Sequence, residues 1–248
     1  MNVTFIGTGD SCDPLRRNLS VLVEDNERGH LLDCGFSSTH GYLAHSPDIR
    51  LDTLWISHFH GDHFFGVPQL ILHFYMQKRK EPLTVLSGGE GKSKIINAIN
   101  LAYPELTSKL PFSLNFVQLQ PGMAIKQNGL TWQCAPVVHS QPAYGLWISN
   151  GRHSLYYSGD GKFTKESSEL MRGCDLIIHE AYTGEPSDPY HSSIQECMLA
   201  AETLSISRLA LVHLQRETRL ALKSGSKALQ NQESTEVIIP RDGETFLL

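Results

Sequence analysis

Residues 58 to 63 read H-F-H-G-D-H, so His58, His60, Asp62 and His63 fall within six positions, directly after the apolar run Leu54-Trp55-Ile56. Imidazole nitrogen and carboxylate oxygen are the donors that hold catalytic zinc. On an extended strand end alternate side chains project to one side, so His58 and His60 can share a cation. The turn at Gly61 redirects Asp62 and His63 toward a neighbouring position. Burying these imidazoles and a carboxylate with no cation would leave a large desolvation cost, so the cluster points to a metal site.

Further donors recur at one kind of place, the C-terminal end of an apolar run: His139 in "APVVHS", Asp160 in "YYSGDG", His179 with Glu180 in "LIIHEA", and His213 in "LALVHL". Strand ends that converge on one rim are where α/β folds assemble sites. A lone strand-end histidine is more often a satisfied core imidazole, so the weight rests on the cluster and its recurrence. His179 precedes Glu180 and is expected to face the other side of its strand as a structural residue. His30, His40, His45, His73 and His153 lack this context, and His73 reads as solvated surface beside Gln69 and Gln77.

The positioning elements are legible around these residues. "NVTFIG", "LSVLVE", "HLLDCG" and "LTVLSG" read as strands, with helices over residues 68 to 80 and 91 to 103. From residue 112 strand follows strand: "FSLNFVQL", "MAIKQNG", "LTWQCAPVVH", "AYGLWISN" and "SLYYSGD". A helix near 164 to 172 precedes the strand "DLIIHEA", and a second near 194 to 205 opens with capping-box spacing at Ser193 and Glu196. The strand "RLALVHL", a charged helix and a terminal hairpin "EVIIPRDGETFLL" complete the chain. Two β-rich halves, each with helices, predict a four-layer α/β/β/α sandwich: two mixed sheets face to face, helices outside, in one domain over residues 1–248.

Composition narrows the function class. Of 248 residues 40% are hydrophobic and 19% charged, enough for a large core. The net charge of −5 is not the footprint of a general nucleic-acid binder, so any RNA contact must be local. Five scattered cysteines with no C-x-x-C pair read as reduced thiols. Met1 leads straight into an apolar strand, and nothing approaches the roughly 18 apolar residues of a membrane span. A soluble, cytoplasmic protein is the expectation.

The set HFHGDH, His139, SGDG and LVHL resembles the metallo-β-lactamase superfamily over nearly the whole chain. The narrower likeness is to ribonuclease Z-type phosphodiesterases. "GTGDSCDPLRRN" resembles that family's opening loop, its Pro and Arg-Asn pair falling at Pro14, Arg17 and Asn18. "HEAY" resembles the family's HEAT stretch and "YHSS" its HST stretch, which together supply the pair Glu180 and His191.

The resemblance implies one metal held by His58, His60, His139 and Asp160, and another by Asp62, His63, Asp160 and His213, with Asp160 bridging. Two zinc ions are the expected cofactors, with manganese also acceptable to carboxylates. The expected chemistry is phosphodiester hydrolysis, with Asp62 orienting the attacking water and His191, oriented by Glu180, protonating the departing oxygen. His191 precedes a helix start, where free N–H groups disfavour imidazolium, and the Glu180 carboxylate would counter that.

Arg17 and Asn18 either bind substrate phosphate or fix the opening loop. Arg216 and Arg219 either face the rim or begin a solvated helix. Only residues 140 to 159 separate His139 from Asp160, and strands fill them, leaving no room for the RNA-grasping arm of bacterial ribonuclease Z. The substrate is thus a phosphodiester, whether an RNA 3′ end or a smaller or cyclic ester, and a homodimer is one way to grip RNA without an arm. Competing readings are a lactone, thioester or other carbonyl-ester hydrolase and a non-catalytic metal scaffold or sensor. A flavin-coupled di-iron protein is disfavoured by His60 and the absence of a flavin module.

Overall fold

The computed structural model describes residues 1–45, 49–223 and 235–248. Its first six strands are β1 (Asn2–Gly7), β2 (Ser20–Asp25), β3 (Arg28–Leu32), β4 (Leu51–Ile56), β5 (Leu83–Ser87) and β6 (Leu114–Gln118). The later ones are β7 (Ile125–Gln127), β8 (Leu130–Val137), β9 (Ala143–Ser149), β10 (Ser154–Tyr157), β11 (Leu176–Glu180), β12 (Arg208–Val212), β13 (Glu236–Ile238) and β14 (Thr245–Leu247). The helices are α1 (Ser38–His45), α2 (Gly61–Phe64), α3 (Val67–Met76), α4 (Lys92–Ala102), α5 (Leu106–Lys109), α6 (Lys165–Met171), α7 (Ile194–Leu204) and α8 (Arg216–Lys223).

Two mixed sheets form, in the orders β14-β1-β2-β3-β4-β5-β6 and β13-β12-β11-β10-β9-β8-β7. The strand pleat explains how they stack, because successive side chains point to opposite faces. Leu32, Trp55, Ile178 and Val212 project between the sheets and meet Trp132, Leu146 and Tyr157. Their neighbours Leu31, Ile56, Ile177 and Leu211 project outward. Leu31 and Ile56 pack with Tyr42, Leu70, Phe74 and Ile95 of α1, α3 and α4. Ile177 and Leu211 pack with Met171, Ile194 and Ala201 of α6 and α7. Apolar burial on both faces of each sheet produces the expected four layers, and β4 is buried along its whole length.

The helix starts follow their caps. Ser193 accepts from the Glu196 N–H while the Glu196 side chain returns a contact to the Ser193 N–H, opening α7 as the spacing predicts. Thr164 and Ser167 do the same for α6. No described helix is long and apolar enough to cross a membrane.

The terminal hairpin does not form. β13 joins the second sheet parallel to β12, with Ala210 opposite Ile238, whereas β14 crosses to the first sheet and pairs antiparallel with β1, Val3 opposite Phe246. Pro240 offers no N–H to a ladder, and Gly243 turns the chain at φ +88°. The edge of β1 is thereby paired by the β14 ladder, with the Thr4–Thr245 hydroxyl contact at 2.8 Å and Phe246 edge-on to Phe5 beside it.

Strand direction is what matters for the site. β3, β4 and β5 run parallel, as do β10, β11 and β12, and β8 shares the direction of β10 because both are antiparallel to β9.

Candidate metal centre

His58 and His60 leave the end of β4, and the single turn of α2 carries Asp62 and His63 back toward them. His139 lies two residues beyond β8, Asp160 three beyond β10, and His213 directly after β12. Asp160 is flanked by Gly159 at φ +59° and Gly161 at φ +137°, conformations that side chains rarely adopt. A Cβ at Gly159 would stand 2.5 Å from Ser57 Cβ, and one at Gly161 2.6 Å from Val137 Cγ2. His213 itself sits at φ +55°, a strained conformation of the kind that collects at sites, and its N–H donates to the Thr8 carbonyl at 2.9 Å.

Two four-residue donor groups result, His58, His60, His139 and Asp160, and Asp62, His63, Asp160 and His213, with Glu180, His191 and His213 forming a third, smaller set; within each the ligating atoms lie within 4.8 Å of one another. His58 Nε2 and His139 Nε2 both lie 3.1 Å from His60 Nδ1. In the second group Asp160 Oδ2 is 3.3 Å from His63 Nε2 and 3.4 Å from His213 Nε2, while Asp62 Oδ2 is 3.3 and 3.5 Å from the same nitrogens.

The residues fit divalent cations on a structural test. His63 Nε2, His213 Nε2 and Asp160 Oδ1 are buried with no hydrogen-bond partner among the described residues. Buried polar atoms of native proteins are otherwise almost always paired.

The electrostatics divide the centre. Burial holds the His58 imidazole well below its ordinary range and lowers those of His60 and His139, favouring the neutral, ligating form. Burial alone would raise Asp62 and Asp160, but the imidazoles beside them more than offset it and keep both carboxyls low. Conversely, burial would lower His63 and His213, and the Asp160 charge reverses this, lifting His213 to about 9. Two buried carboxylates thus concentrate the negative charge that a cation would neutralise.

Asp33, at φ +60° just after β3, is the residue that sequence reasoning passed over. It is fully buried. Its Oδ2 lies 2.8 Å from His63 Nδ1 and accepts from the Ser57 and Tyr157 hydroxyls at 2.7 Å each, while Oδ1 accepts from the Ser57 N–H. Ser57 Oγ in turn stands 3.0 Å from His58 Nδ1. One carboxylate therefore orients an imidazole in each donor group. The signal was present, since "HLLDCG" also places a carboxylate at the end of an apolar run.

Glu180 and His191 meet beside the two groups. Glu180 Oε1 accepts from the Ser192 N–H at 2.8 Å and the Gly161 N–H at 3.2 Å, and Oε2 from the Tyr182 N–H at 3.2 Å. His191 Nδ1 is 3.4 Å from Glu180 Oε1, and its ring centroid is 5.1 Å from that of His139 and 5.9 Å from that of His213. Asp188 Oδ1 accepts from the His191 N–H at 3.0 Å and fixes the loop that presents the ring. Burial raises the Glu180 carboxyl and would lower His191, yet Glu180 beside it lifts His191 above its ordinary range.

Other candidates fall elsewhere. Asn18 is buried and spends its amide on the Asp10 and Ser11 carbonyls and on Ser37, so it ties the opening loop together instead of reaching the donor groups. Arg17 turns toward Asp242 at 3.9 Å and His45 at 3.4 Å, again away from those groups. Arg219 does not face the rim as a free cation: it is buried and ion-paired with Asp13. Arg216 is exposed. His179 is fully buried, donating to the Glu180 carbonyl at 2.7 Å and stacking on Phe163 at 4.0 Å. His73, on α3, is half-buried instead of fully solvated.

Comparison with known proteins places this geometry. The family model for "Anti-Pycsar protein Apyc1" matches residues 1–235. Ribonuclease Z of Prochlorococcus marinus strain AS9601 is 30% identical over 278 aligned positions, covering 86% of this chain and 88% of the relative. That alignment is longer than this chain of 248 residues, so the relative carries insertions that this chain lacks. The crystal structure of human tRNase Z, short form (ELAC1), covers 100% of this chain and 99% of its own, with TM-score 0.81 and 22% identity. The metallo-β-lactamase fold protein YhfI from Bacillus subtilis has TM-score 0.80 and 21% identity, over 99% of this chain and 98% of its own. With its fold, its donor groups and these matches in agreement, the chain belongs to the Anti-Pycsar protein Apyc1 family and is a ribonuclease Z-like protein of the metallo-β-lactamase superfamily.

Proposed function

We propose that this chain is a metal-dependent phosphodiesterase with a dinuclear centre, acting on small linear or cyclic phosphodiesters in preference to transfer-RNA precursors. The observation that carries the reading is the Glu180–His191 pair standing beside two donor groups that share Asp160. His58, His60, His139 and Asp160 would hold one ion, and Asp62, His63, Asp160 and His213 the other. Zinc suits a set dominated by imidazole, and manganese suits its carboxylates. When bound, such a pair supplies Lewis-acid activation of water and of the phosphoryl oxygens.

The chain's own residues supply the rest. Asp62, held ionised near His63 and His213, accepts a hydrogen bond from the attacking water and sets its direction. His191, whose protonated form the Glu180 carboxylate favours, donates a proton to the departing oxygen. An alkoxide leaving phosphorus needs that proton, and this favours phosphodiesters over lactones and thioesters. Small substrates are favoured because the 20 residues from 140 to 159 are spent on β9 and β10 and build no arm.

The test is metal analysis coupled to turnover of 3′-extended transfer RNA beside 2′,3′-cyclic, 3′,5′-cyclic and linear dinucleotide substrates. Near two metals per chain and faster turnover of the small esters are expected. Preferential cleavage of the transfer RNA by a dimer would replace the substrate reading. Turnover of a lactone or thioester with none of the phosphodiesters would overturn the reaction class.

A further inference from the structure

We propose that Tyr182 is a specificity-determining residue that stacks a nucleobase on the leaving-group side of the metal centre. This rests on the phosphodiesterase reading, which places the leaving oxygen at His191.

Tyr182 follows Glu180 by two positions, and its backbone is fixed from three directions. Its N–H donates to the Ser192 carbonyl at 2.9 Å and to Glu180 Oε2 at 3.2 Å, and its carbonyl accepts from the Gln215 N–H at 3.0 Å. The ring is thereby held 4.8 Å from the His191 ring at 35° and 6.1 Å from the His213 ring at 38°. It is half-buried, and its hydroxyl makes no hydrogen bond among the described residues. An aromatic ring so anchored, with no polar task of its own, presents a flat apolar wall beside the proton donor.

The surrounding charges say what that wall receives. Among the groups acting on the Tyr182 hydroxyl are the carboxylates of Asp10, Asp188 and Glu217, while the His191 and His213 imidazoles lie against its ring. These carboxylates disfavour a second phosphate at the hydroxyl end of the ring, whereas a neutral planar group meets no such repulsion. The single phosphodiester sits at the donor groups, and the next part of the substrate outward past His191 meets this ring. Bases stack on tyrosine whatever their sequence, because every base has a π-face.

The test is calorimetric binding of adenosine 5′-monophosphate and ribose 5-phosphate to the metal-loaded protein, for wild type, Tyr182→Phe and Tyr182→Thr. It is paired with turnover of adenosine 2′,3′-cyclic phosphate and glycerol 1,2-cyclic phosphate. The wild type and Tyr182→Phe should bind the nucleotide at least about tenfold more tightly than the sugar phosphate. Tyr182→Thr should lose that preference with ribose 5-phosphate binding unchanged, and KM should rise for the nucleotide substrate alone. A preference that survives in Tyr182→Thr, one absent from wild type, or equal weakening of both ligands overturns the assignment. A preserved binding preference with no phosphodiester turned over would sink the phosphodiesterase reading and leave the stacking role standing.

Discussion

His63 bridges two kinds of carboxylate: its Nδ1 is 2.8 Å from Asp33 Oδ2, and its Nε2 is 3.3 Å from both Asp62 and Asp160. A hydrogen bond at one ring nitrogen decides the role of the other. With Nδ1–H committed to Asp33, the Nε2 lone pair is the one turned to the donor group. Asp33 therefore acts on the centre without belonging to either set of ligands.

Replacing Asp33 by asparagine should keep the shape and remove the acceptor charge. Loss of such outer partners typically weakens metal binding by about 10–100-fold. Chelator competition should show that loss, together with a lowered Tm from the donors of Ser57, Tyr157 and His63 that lose a charged acceptor. Unchanged affinity would remove the orienting role.

Asp160 is common to both donor groups. Asp160→Ala should therefore cost both ions, leaving well under one metal per chain by atomic emission, and should abolish turnover. His139→Ala touches only the first group and should spare the second ion. Two metals retained in Asp160→Ala would contradict a shared ligand.

His191→Ala should spare a nitrophenyl phosphodiester, whose leaving group needs no proton, far more than an unactivated alkyl or nucleoside ester. A gap of about 10²-fold is the scale of general acid catalysis. Equal losses on the two substrates would reassign His191 to the cap of α7.

His30 sets a pH dependence of its own. It is fully buried, neither ring nitrogen has a partner among the described residues, and burial, only partly countered by Asp52, holds it down at about 4 from 6.5. Between those values the unfolded chain binds a proton that the folded chain refuses. Stability should therefore fall as pH drops from about 6.5 to about 4, by on the order of 3 kcal/mol, and be constant above this window as far as His30 is concerned. Denaturant midpoints of metal-free wild type and His30→Leu test this; parallel pH slopes would exclude His30 as the source.

The donor-group residues were legible because their signal is local: His58 to His63 lie in one stretch, and each remaining member ends a recognisable apolar strand. The layers followed from the same apolar runs. What escaped was decided by distant partners. Nothing near Asp33 says that Ser57, Tyr157 and His63 converge on it, and Arg219 reads as a rim cation until Asp13 is brought against it from the opening loop. The last two strands looked like a hairpin because alternation reveals a strand and not its neighbour; β13 and β14 found partners in different sheets.

That parting of β13 and β14 has a consequence for biosynthesis. Only residues 239 to 244 connect the two sheets there, and β14 beyond them covers the edge of β1. Until translation reaches residue 245, the nascent chain carries β1 as an open edge, the kind of template that invites pairing with other chains. Closing it demands contacts such as Val3 opposite Phe246, a wide sequence separation that slows folding. A truncation just before β14 should therefore favour aggregation while leaving both donor groups in place.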